Sequence, residues 1–421
     1  MFAFRLPPSA CRLRYPDPMV YRGAIGNRPA MLSVKDTSIS LAFEAEWVAA
    51  WDLGGRFYSL WKHGDTYRRG LGGRLLAKRG RTGVGPQKAA LTGEPADVVV
   101  QETAERAEDL RLALERDPRA WTGRDGGHPP EDAMLWVGRA ARFDAAAARA
   151  DAARFASVYG TVGILPPDQY LATVLQGTEG CSFGTCTFCN LYPDGYRVKS
   201  AEEFRRHAEA VRDYLGDSAS LRGRAFFLGA ANALAVPMAR LGEYFDAIPR
   251  AFGGPPRPVH AFVDGFTGLL KTAGDYAALR AKGLGRVYVG LESGHDPLLA
   301  FVRKPASAEQ AIETVRAVKS GGAEAGVIVM IGLGGRTFAE GHVRDTVAAV
   351  NRMGLGAGDL IFFSELVESP GTAYPAAAAA ANIEPLDRDA RAAQIEAIRA
   401  GLAFEGRPPQ MARYDVEEFV Y

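Results

Sequence analysis

The distribution of apolar residues divides the chain near residue 160. Beyond that point, short and continuously apolar runs alternate with segments in which apolar residues recur at helical spacing. Apolar runs of this kind, separated by amphipathic helices, are typical of parallel strands that are covered on both faces. The pattern predicts six strands, over residues 170–176, 224–229, 259–263, 286–291, 325–332 and 360–366.

The helical patterns lie between these strands, so strand and helix alternate along the chain. Six such units are two fewer than the eight of a complete (β/α) barrel. We therefore expect an α/β protein with a partial (β/α)6 barrel over residues 161–385, followed by a C-terminal helix and tail over residues 386–421. The predicted helices cover residues 202–215, 238–249, 271–282, 307–320, 338–353 and 387–403.

The first 160 residues follow a different pattern. Segment 38–62 has β-rich stretches interrupted by Gly54-Gly55, as in a small sheet or meander. Two helical patterns follow, over residues 102–116 and 143–158. We expect residues 1–160 to form an α+β accessory domain that covers the barrel mouth and contributes to the choice of substrate.

Composition and charge narrow the class of protein. A chain of 421 residues fits two domains, or one barrel with additions. The net charge of +1 gives no reason to expect a polyanionic partner, so nucleic acid is an unlikely ligand. The N-terminus lacks the pattern of a secretory signal, and no run of about 18 apolar residues occurs. We expect a cytoplasmic protein without a membrane partner.

Three of the four cysteines, Cys181, Cys186 and Cys189, fall within nine residues of one another. A clustered trio indicates a metal centre rather than a disulfide framework. The trio follows the first predicted strand, and chemistry in such barrels occurs at the carboxyl ends of the strands. Three thiolates on one loop can hold three irons of a 4Fe–4S cluster and leave the fourth open. The alternative is a zinc knuckle with a fourth ligand such as His207, although zinc sites usually combine two pairs of ligands.

The cysteine motif resembles that of the radical S-adenosylmethionine (SAM) superfamily. The resemblance covers roughly residues 165–375 and is closest to the branch of the oxygen-independent coproporphyrinogen dehydrogenases, the tRNA methylthiotransferases and the Elongator catalytic subunit. It implies a 4Fe–4S cluster and SAM, whose reductive cleavage yields a 5′-deoxyadenosyl radical that abstracts hydrogen. The first two cysteines are separated by four residues here, whereas the family usually has three. Phe188 matches the aromatic position that the family packs near the adenine.

The resemblance also implies contacts to SAM after the later strands. Glu292 and Ser293 resemble the polar pair that contacts the ribose and the amino acid, and a carboxylate in apolar surroundings is costly unless it is paired or liganded. Arg303 and Lys304 resemble the basic position that meets the SAM carboxylate. The other expected cofactor contacts lie in the cysteine loop and in the turns after the second and fifth strands: Tyr192, Gly229, Ala230, Ala231, Asn232, Ile331 and Gly332.

The substrate is less constrained by the sequence. Arg68 and Arg69 begin a basic stretch that suits a carboxylate or phosphate, an RNA or an acidic electron donor, or that forms a solvated surface. Arg197 and His260 are further candidates for substrate contact. We expect a small-molecule substrate of a biosynthetic reaction, with a flavodoxin or ferredoxin-type electron donor. A radical RNA-modifying enzyme and a non-catalytic iron–sulfur or zinc-binding scaffold are the alternatives.

Overall fold

The computed structural model describes residues 18–44, 46–80 and 87–421. These residues divide into two compact units. The barrel unit consists of Thr161–Glu209 and Ala225–Val416. The accessory unit consists of the described residues before Thr161, together with Ala210–Arg224 and Glu417–Tyr421.

The accessory unit contains an eight-stranded antiparallel sheet whose strand order follows the chain. Buried and exposed side chains alternate along several strands, as expected for a sheet with one face on a core. The strands are β1 (Met19–Ile25), β2 (Arg28–Val34), β3 (Ser38–Phe43), β4 (Trp47–Asp52), β5 (Phe57–Lys62), β6 (Asp65–Arg69), β7 (Leu75–Arg79) and β8 (Gln87–Leu91).

Three helices complete the accessory unit: α1 (Glu94–Arg116), α2 (Glu131–Ala141) and α3 (Ala145–Val158). Their buried residues join the sheet in one core around Trp51 and Trp121. The predicted α+β fold is confirmed, but the sheet extends well beyond residues 38–62. The basic stretch lies mainly in β6 and β7. Its charged residues interrupt the apolar alternation that identifies a strand, so the sequence does not indicate these two strands.

The barrel unit contains a sheet of seven parallel strands. The antiparallel pair β10 (Thr178–Glu179) and β11 (Arg197–Val198) is separate from it. All residues of the second and third strands are buried, which fits a sheet covered on both faces. Taken in order across the sheet, its strands are β9 (Thr173–Gln176), β12 (Phe226–Gly229), β13 (Val259–Val263), β14 (Leu284–Glu292), β15 (Glu324–Ile331), β16 (Leu360–Glu365) and β17 (Gln410–Tyr414).

The six predicted strands are all present, and the α/β class and partial barrel are confirmed. The seventh strand, β17, lies within the segment that the sequence indicates as a tail. It forms one edge of the sheet and is largely exposed, so it lacks the apolar run of the central strands.

The helices of the barrel unit follow the predicted alternation. The division between the units cuts α4 after Glu209. Helix α9 begins at a capping box formed by Ser307 and Gln310. The helices are α4 (Ala201–Leu215), α5 (Met238–Phe252), α6 (Gly265–Gly268), α7 (Ala273–Ala281), α8 (Asp296–Phe301), α9 (Ala308–Ser320), α10 (Gly335–Asn351), α11 (Tyr374–Ala380) and α12 (Arg388–Gly401). Within the described ranges, no helix combines the length and apolar character needed to cross a bilayer.

Residues 164–170 connect the two edges of the parallel sheet. The Tyr414 hydroxyl, at the end of edge strand β17, donates to the Leu165 carbonyl at 2.7 Å. The Tyr170 hydroxyl donates to the Asp415 carbonyl at 3.4 Å. This segment leads directly into β9, the edge strand on the opposite side of the sheet. The two hydrogen bonds therefore hold the β9 and β17 edges together, although the two strands do not pair with each other.

Replacing Tyr414 with Phe is expected to lower the free energy of unfolding by about 1 kcal/mol, since the ring is kept but the Leu165 carbonyl loses its donor. Urea unfolding followed by circular dichroism measures the change. Tyr196→Phe is the control, because Tyr196 is 38% exposed and water can replace its hydroxyl group's interactions. Equal effects of the two substitutions would show that the Tyr414 hydroxyl does not stabilise the closure.

Candidate active site

A cavity of about 210 Å³ opens at the carboxyl ends of the parallel strands in the barrel unit. Such barrels place their chemistry at this end. Cys181, Cys186 and Cys189 all line the cavity, together with Phe188 and Tyr192. The structure therefore brings the three predicted ligands and two of the aromatic residues of the same loop to one cavity.

The cysteine loop is fixed by hydrogen bonds to the turn that follows α8. The Thr187 backbone N–H donates to the Val302 carbonyl at 3.0 Å. The Thr185 hydroxyl donates to the Arg303 carbonyl at 3.1 Å. These contacts bracket Cys186, so this turn determines where the thiol lies.

The loop is also fixed from the side of β16 and α11. The Tyr374 N–H, at the start of α11, donates to the Thr187 carbonyl at 2.9 Å. The Asn190 amide donates to the Pro370 carbonyl at 2.8 Å. A loop with little regular structure of its own thus obtains a defined shape from two neighbouring segments.

The longer first cysteine spacing is accommodated at Gly184. This residue has a φ of 62°, and no atom of the described chain lies within 4 Å of the position that a Cβ would take. Glycine adopts such a conformation without steric cost. A side chain at this position would therefore point into open space, although the φ of 62° favours glycine.

The three thiols border one cavity without converging on a single point. Among the described residues, no three His, Cys, Asp or Glu side chains are close enough to hold one metal ion. The thiols instead line a wall of the cavity, which suits a group that has a volume of its own. Burial raises the pKa of the Cys186 thiol to about 11, so binding of iron has to displace its proton.

Glu292 and Lys304 form a buried ion pair in the same cavity, with 3.0 Å between the carboxylate and the ammonium group. The two side chains are only 12% and 10% exposed. Glu292 ends β14 at a register shift and has a φ of 58°. Bulges re-aim side chains, and left-handed backbone at a residue other than glycine marks a constrained position. Gly290 makes room, since a Cβ there would collide with the Glu292 carboxylate.

Lys304 keeps its positive charge despite the burial. Desolvation lowers the pKa of Lys304, but attraction to Glu292 and then to Cys186 outweighs it, so the net pKa lies above the usual value for lysine. A positive charge is therefore maintained beside the thiols at neutral pH.

Asn232 connects the turn after β12 to the cysteine loop. The residue is 2% exposed. Its amide nitrogen donates to the Ser182 hydroxyl at 2.9 Å and to the Thr267 hydroxyl at 2.8 Å, and it also bonds to the Asp264 carboxylate. Its carbonyl accepts from the Asp264 N–H at 3.1 Å. Both ends of the Asn232 side chain are thus used within the protein.

Residues 175–347 match the family model described as the radical SAM superfamily. These residues are therefore a radical SAM domain. Enzymes of this superfamily use a 4Fe–4S cluster and SAM, and they require a reducing electron donor. A comparison with curated protein sequences finds no match.

Solved structures of other radical SAM enzymes resemble part of the chain. Coproporphyrinogen III oxidase (HemN) from Escherichia coli is 14% identical, with a TM-score of 0.41, over 58% of this chain and 54% of HemN. The cobalamin-dependent enzyme OxsB is 15% identical, with a TM-score of 0.36, over 55% of this chain and 31% of OxsB. Methylornithine synthase (PylB) is 10% identical, with a TM-score of 0.38, over 76% of this chain and 79% of PylB. The alignments thus span at most about half of HemN and a third of OxsB.

Several of the residues that are predicted to contact SAM do not line this cavity. Ser293 is fully buried, and its hydroxyl bonds to Nδ1 of His342 at 2.8 Å. Ile331 is fully buried as well. Arg303 contacts the cysteine loop through its backbone carbonyl, which accepts a hydrogen bond from the Thr185 hydroxyl. Gly332 borders a separate cavity of about 170 Å³ beside α11.

The turn after β12 divides between two sites. Ala231 and Asn232 line the cavity with the thiols. Gly229 and Ala230 instead line a narrow crevice of about 10 Å³ that also borders Tyr192. Roles of these residues in binding SAM stay predictions.

Two of the candidate substrate residues, Arg197 and His260, belong to the barrel unit but do not line the cavity. Arg197 is exposed and pairs with Glu179 and Glu203. His260 is buried, and its Nδ1 accepts from the Arg286 N–H at 2.9 Å. Burial lowers the pKa of His260 to about 3, so the ring is neutral.

Arg68 and Arg69 lie in the accessory unit and have partners there. Arg68 pairs with Glu418 at 3.0 Å. Arg69 is buried, lies 3.6 Å from the Asp151 carboxylate, and its guanidinium packs over the Phe143 ring. Their contact with substrate stays a prediction.

Sequence reasoning missed a group of cavity residues from the ends of the later strands. Ile328 and Met330 alternate on β15, so both point to the same face. In a strand every second side chain points to the same face, so counting back from the carboxyl end of the strand would have identified both residues. The cavity residues that were missed include Phe262, Ile328, Met330, Ser364, Tyr414 and Val416.

Replacing either member of the buried pair singly, as Glu292→Gln or Lys304→Met, is expected to lower the free energy of unfolding by about 3 kcal/mol, since each leaves an uncompensated buried charge. The double variant is expected to lose less than either single variant. Urea unfolding of the three proteins before cluster assembly measures these changes. Additive losses would show that the two side chains are not coupled.

Proposed function

We propose that this enzyme binds a 4Fe–4S cluster through Cys181, Cys186 and Cys189 and reductively cleaves SAM to act on a small-molecule substrate. The observation that supports this best is the cavity that contains the three thiols and the buried Glu292–Lys304 pair. When bound, the cluster and SAM supply an electron and a 5′-deoxyadenosyl radical that abstracts hydrogen.

The chain's own side chains would position SAM. Lys304 would bind the carboxylate of the amino acid, because a buried ammonium group forms strong hydrogen bonds to carboxylates. Glu292 would hold Lys304 in place and accept from the ribose or the amino group. Phe188, in the cavity wall beside the thiols, offers an apolar surface for the adenine.

A small molecule is favoured over RNA because the cations of the basic stretch that begins at Arg68 are already paired or buried. Arg68 and Lys78 both pair with Glu418 at the C-terminal end of the chain. Arg69 is buried. Binding of nucleic acid depends on cations that are free to neutralise phosphates, and these three side chains are already engaged.

We infer a flavodoxin or ferredoxin-type electron donor that approaches the outer face of the cysteine loop. Three residues of the loop are exposed there: Gly184, Thr185 and Cys189. A donor at that face could deliver an electron without passing through the substrate cavity.

Replacing Cys181, Cys186 or Cys189 with Ala is expected to abolish cluster assembly and formation of 5′-deoxyadenosine, because each removes a ligand to iron. The protein is reconstituted anaerobically with iron and sulfide, reduced and given SAM; iron content and 5′-deoxyadenosine are then measured. Cys11→Ala is the matched control, since Cys11 is the fourth cysteine and lies outside both the motif and the described residues. Cleavage of SAM by a variant of the motif, or binding of zinc alone by the unaltered protein, would contradict the proposal.

A further inference from the structure

We propose that three polar side chains on one face of α10 hold the Glu292–Lys304 pair in its position in the cavity. These positioning residues are His342, Asp345 and Thr346. They act through residues 293–295, which follow Glu292 directly in the chain. The consequence for SAM rests on the proposed function, whereas the positioning itself is a property of the protein before cluster assembly.

Glu292 depends on its neighbours because it lies in a strained turn. The Ser293 N–H donates to the Leu291 carbonyl at 2.7 Å, which closes a three-residue γ-turn around Glu292. The φ of 58° at Glu292 identifies the rarer, strained form of this turn. Such a backbone conformation persists where the surrounding structure fixes it. The contacts of the residues that follow Glu292 therefore help to decide where its carboxylate points.

Helix α10 supplies those contacts, one to each of the three residues that follow Glu292. The pairs are the Ser293 hydroxyl with Nδ1 of His342 at 2.8 Å, the Gly294 N–H with the Thr346 hydroxyl at 2.9 Å, and Nδ1 of His295 with the Asp345 carboxylate at 2.6 Å. Residues that are three and four apart lie on the same face of a helix. A single face of α10 thus fixes the whole turn.

Two glycines let the turn lie directly against the helix. A Cβ at Gly294 would collide with the backbone of Asp345. A Cβ at Gly341 would lie 2.7 Å from the His295 ring. The hydrogen bonds therefore form at a contact that leaves no room for a further side chain.

The burial of His342 is not explained by stability alone. The ring is fully buried, and burial lowers the pKa of His342 to about 4, so the ring is neutral at neutral pH. Among the residues that the structure describes, no group forms a hydrogen bond with its Nε2. A buried polar atom without a partner lowers the free energy of unfolding. What the ring contributes is the position that its bond to Ser293 gives to the turn.

The same turn sets the path of the chain to Lys304. The His295 carbonyl accepts from the Leu298 N–H at 2.9 Å at the start of α8. After this short helix, the Lys304 N–H donates to the Leu299 carbonyl at 2.9 Å. The turn therefore lies between the carboxylate and the ammonium group of the pair, and a displacement of the turn would move both.

Two variants of the fully buried Thr346 test the proposal in the metal-free protein. Thr346→Val keeps the shape of the side chain but removes the acceptor of the Gly294 N–H, whereas Thr346→Ser keeps the acceptor and loses a methyl group. Amide hydrogen exchange is measured by mass spectrometry. We expect Thr346→Val to speed exchange within residues 293–304 about three- to tenfold, the range for loss of one hydrogen bond, and Thr346→Ser to leave it unchanged. Unchanged exchange in Thr346→Val, or equal increases in both variants, would overturn the proposal.

A partly exposed position on the same face provides a second test that leaves the core intact. Asp345→Ala removes the carboxylate that bonds to His295, and the Asp345 side chain is 30% exposed. Glu340→Ala is the matched control, since Glu340 is an exposed carboxylate of the same helix. Faster exchange within residues 293–304 is expected in Asp345→Ala alone. Equal exchange in these two variants would contradict the proposal.

Affinity for SAM separates positioning from a general loss of stability. Each Thr346 variant loses one buried interaction, a hydrogen bond in Thr346→Val and the packing of a methyl group in Thr346→Ser. SAM is titrated into the reconstituted proteins, and binding is measured by isothermal titration calorimetry. We expect Thr346→Val to bind SAM about three- to tenfold more weakly at equal iron content, and Thr346→Ser to bind it as the unaltered protein does. Equal weakening in both would indicate a structural role only and refute the positioning.

The two proposals fail separately. Hydrogen exchange uses protein without cluster or SAM, so its result does not depend on the proposed reaction. The expected exchange together with no binding of SAM by the unaltered protein would contradict the proposed function only. Binding of SAM and formation of 5′-deoxyadenosine that are the same in both Thr346 variants would contradict the positioning only.

Discussion

The hydrogen bonds between the cysteine loop and the turn at residues 302–303 are the contacts on which the site depends. The loop itself has almost no regular structure, so the positions of its thiols have to be set from outside. Thr187 and Thr185 bond to the carbonyls of Val302 and Arg303, and Lys304 follows immediately. The turn that places Cys186 therefore also places the cation of the buried ion pair.

This coupling explains why strained backbone is concentrated here. Arg303 has a φ of 56° and Glu292 a φ of 58°, both in the region that favours glycine. Such conformations persist where the surroundings fix them, and they are common at functional sites. Here the surroundings are the ion pair on one side and the cysteine loop on the other. A buried pair is weak evidence for stability but good evidence that the position of a charge matters.

Much of the barrel could be predicted because its central strands are covered on both faces. Such strands are continuous apolar runs, and the residues of β12 and β13 are all buried. The edge strand β17 and the basic strands β6 and β7 have no such run, because part of each is exposed. Whether those segments pair with a sheet is decided by neighbours that are distant in the sequence.

The same limit separates the site residues that were found from those that were missed. The cysteines are close in the sequence, so their spacing indicates the metal centre directly. Glu292 and Ser293 are adjacent too, but the turn that places Glu292 in the cavity directs the Ser293 hydroxyl to His342 of α10. The family resemblance assigns Glu292 and Ser293 to SAM as a pair, so it does not reveal that their side chains point to different places.

Met330 and Ser364 show the opposite case. They are 34 residues apart in the chain and lie opposite each other only because of the register between β15 and β16. A shift of that register by one residue would turn the Ser364 side chain to the other face of the sheet. The three thiols are therefore brought together by a short stretch of sequence, whereas this part of the cavity wall is created by the pairing of two strands.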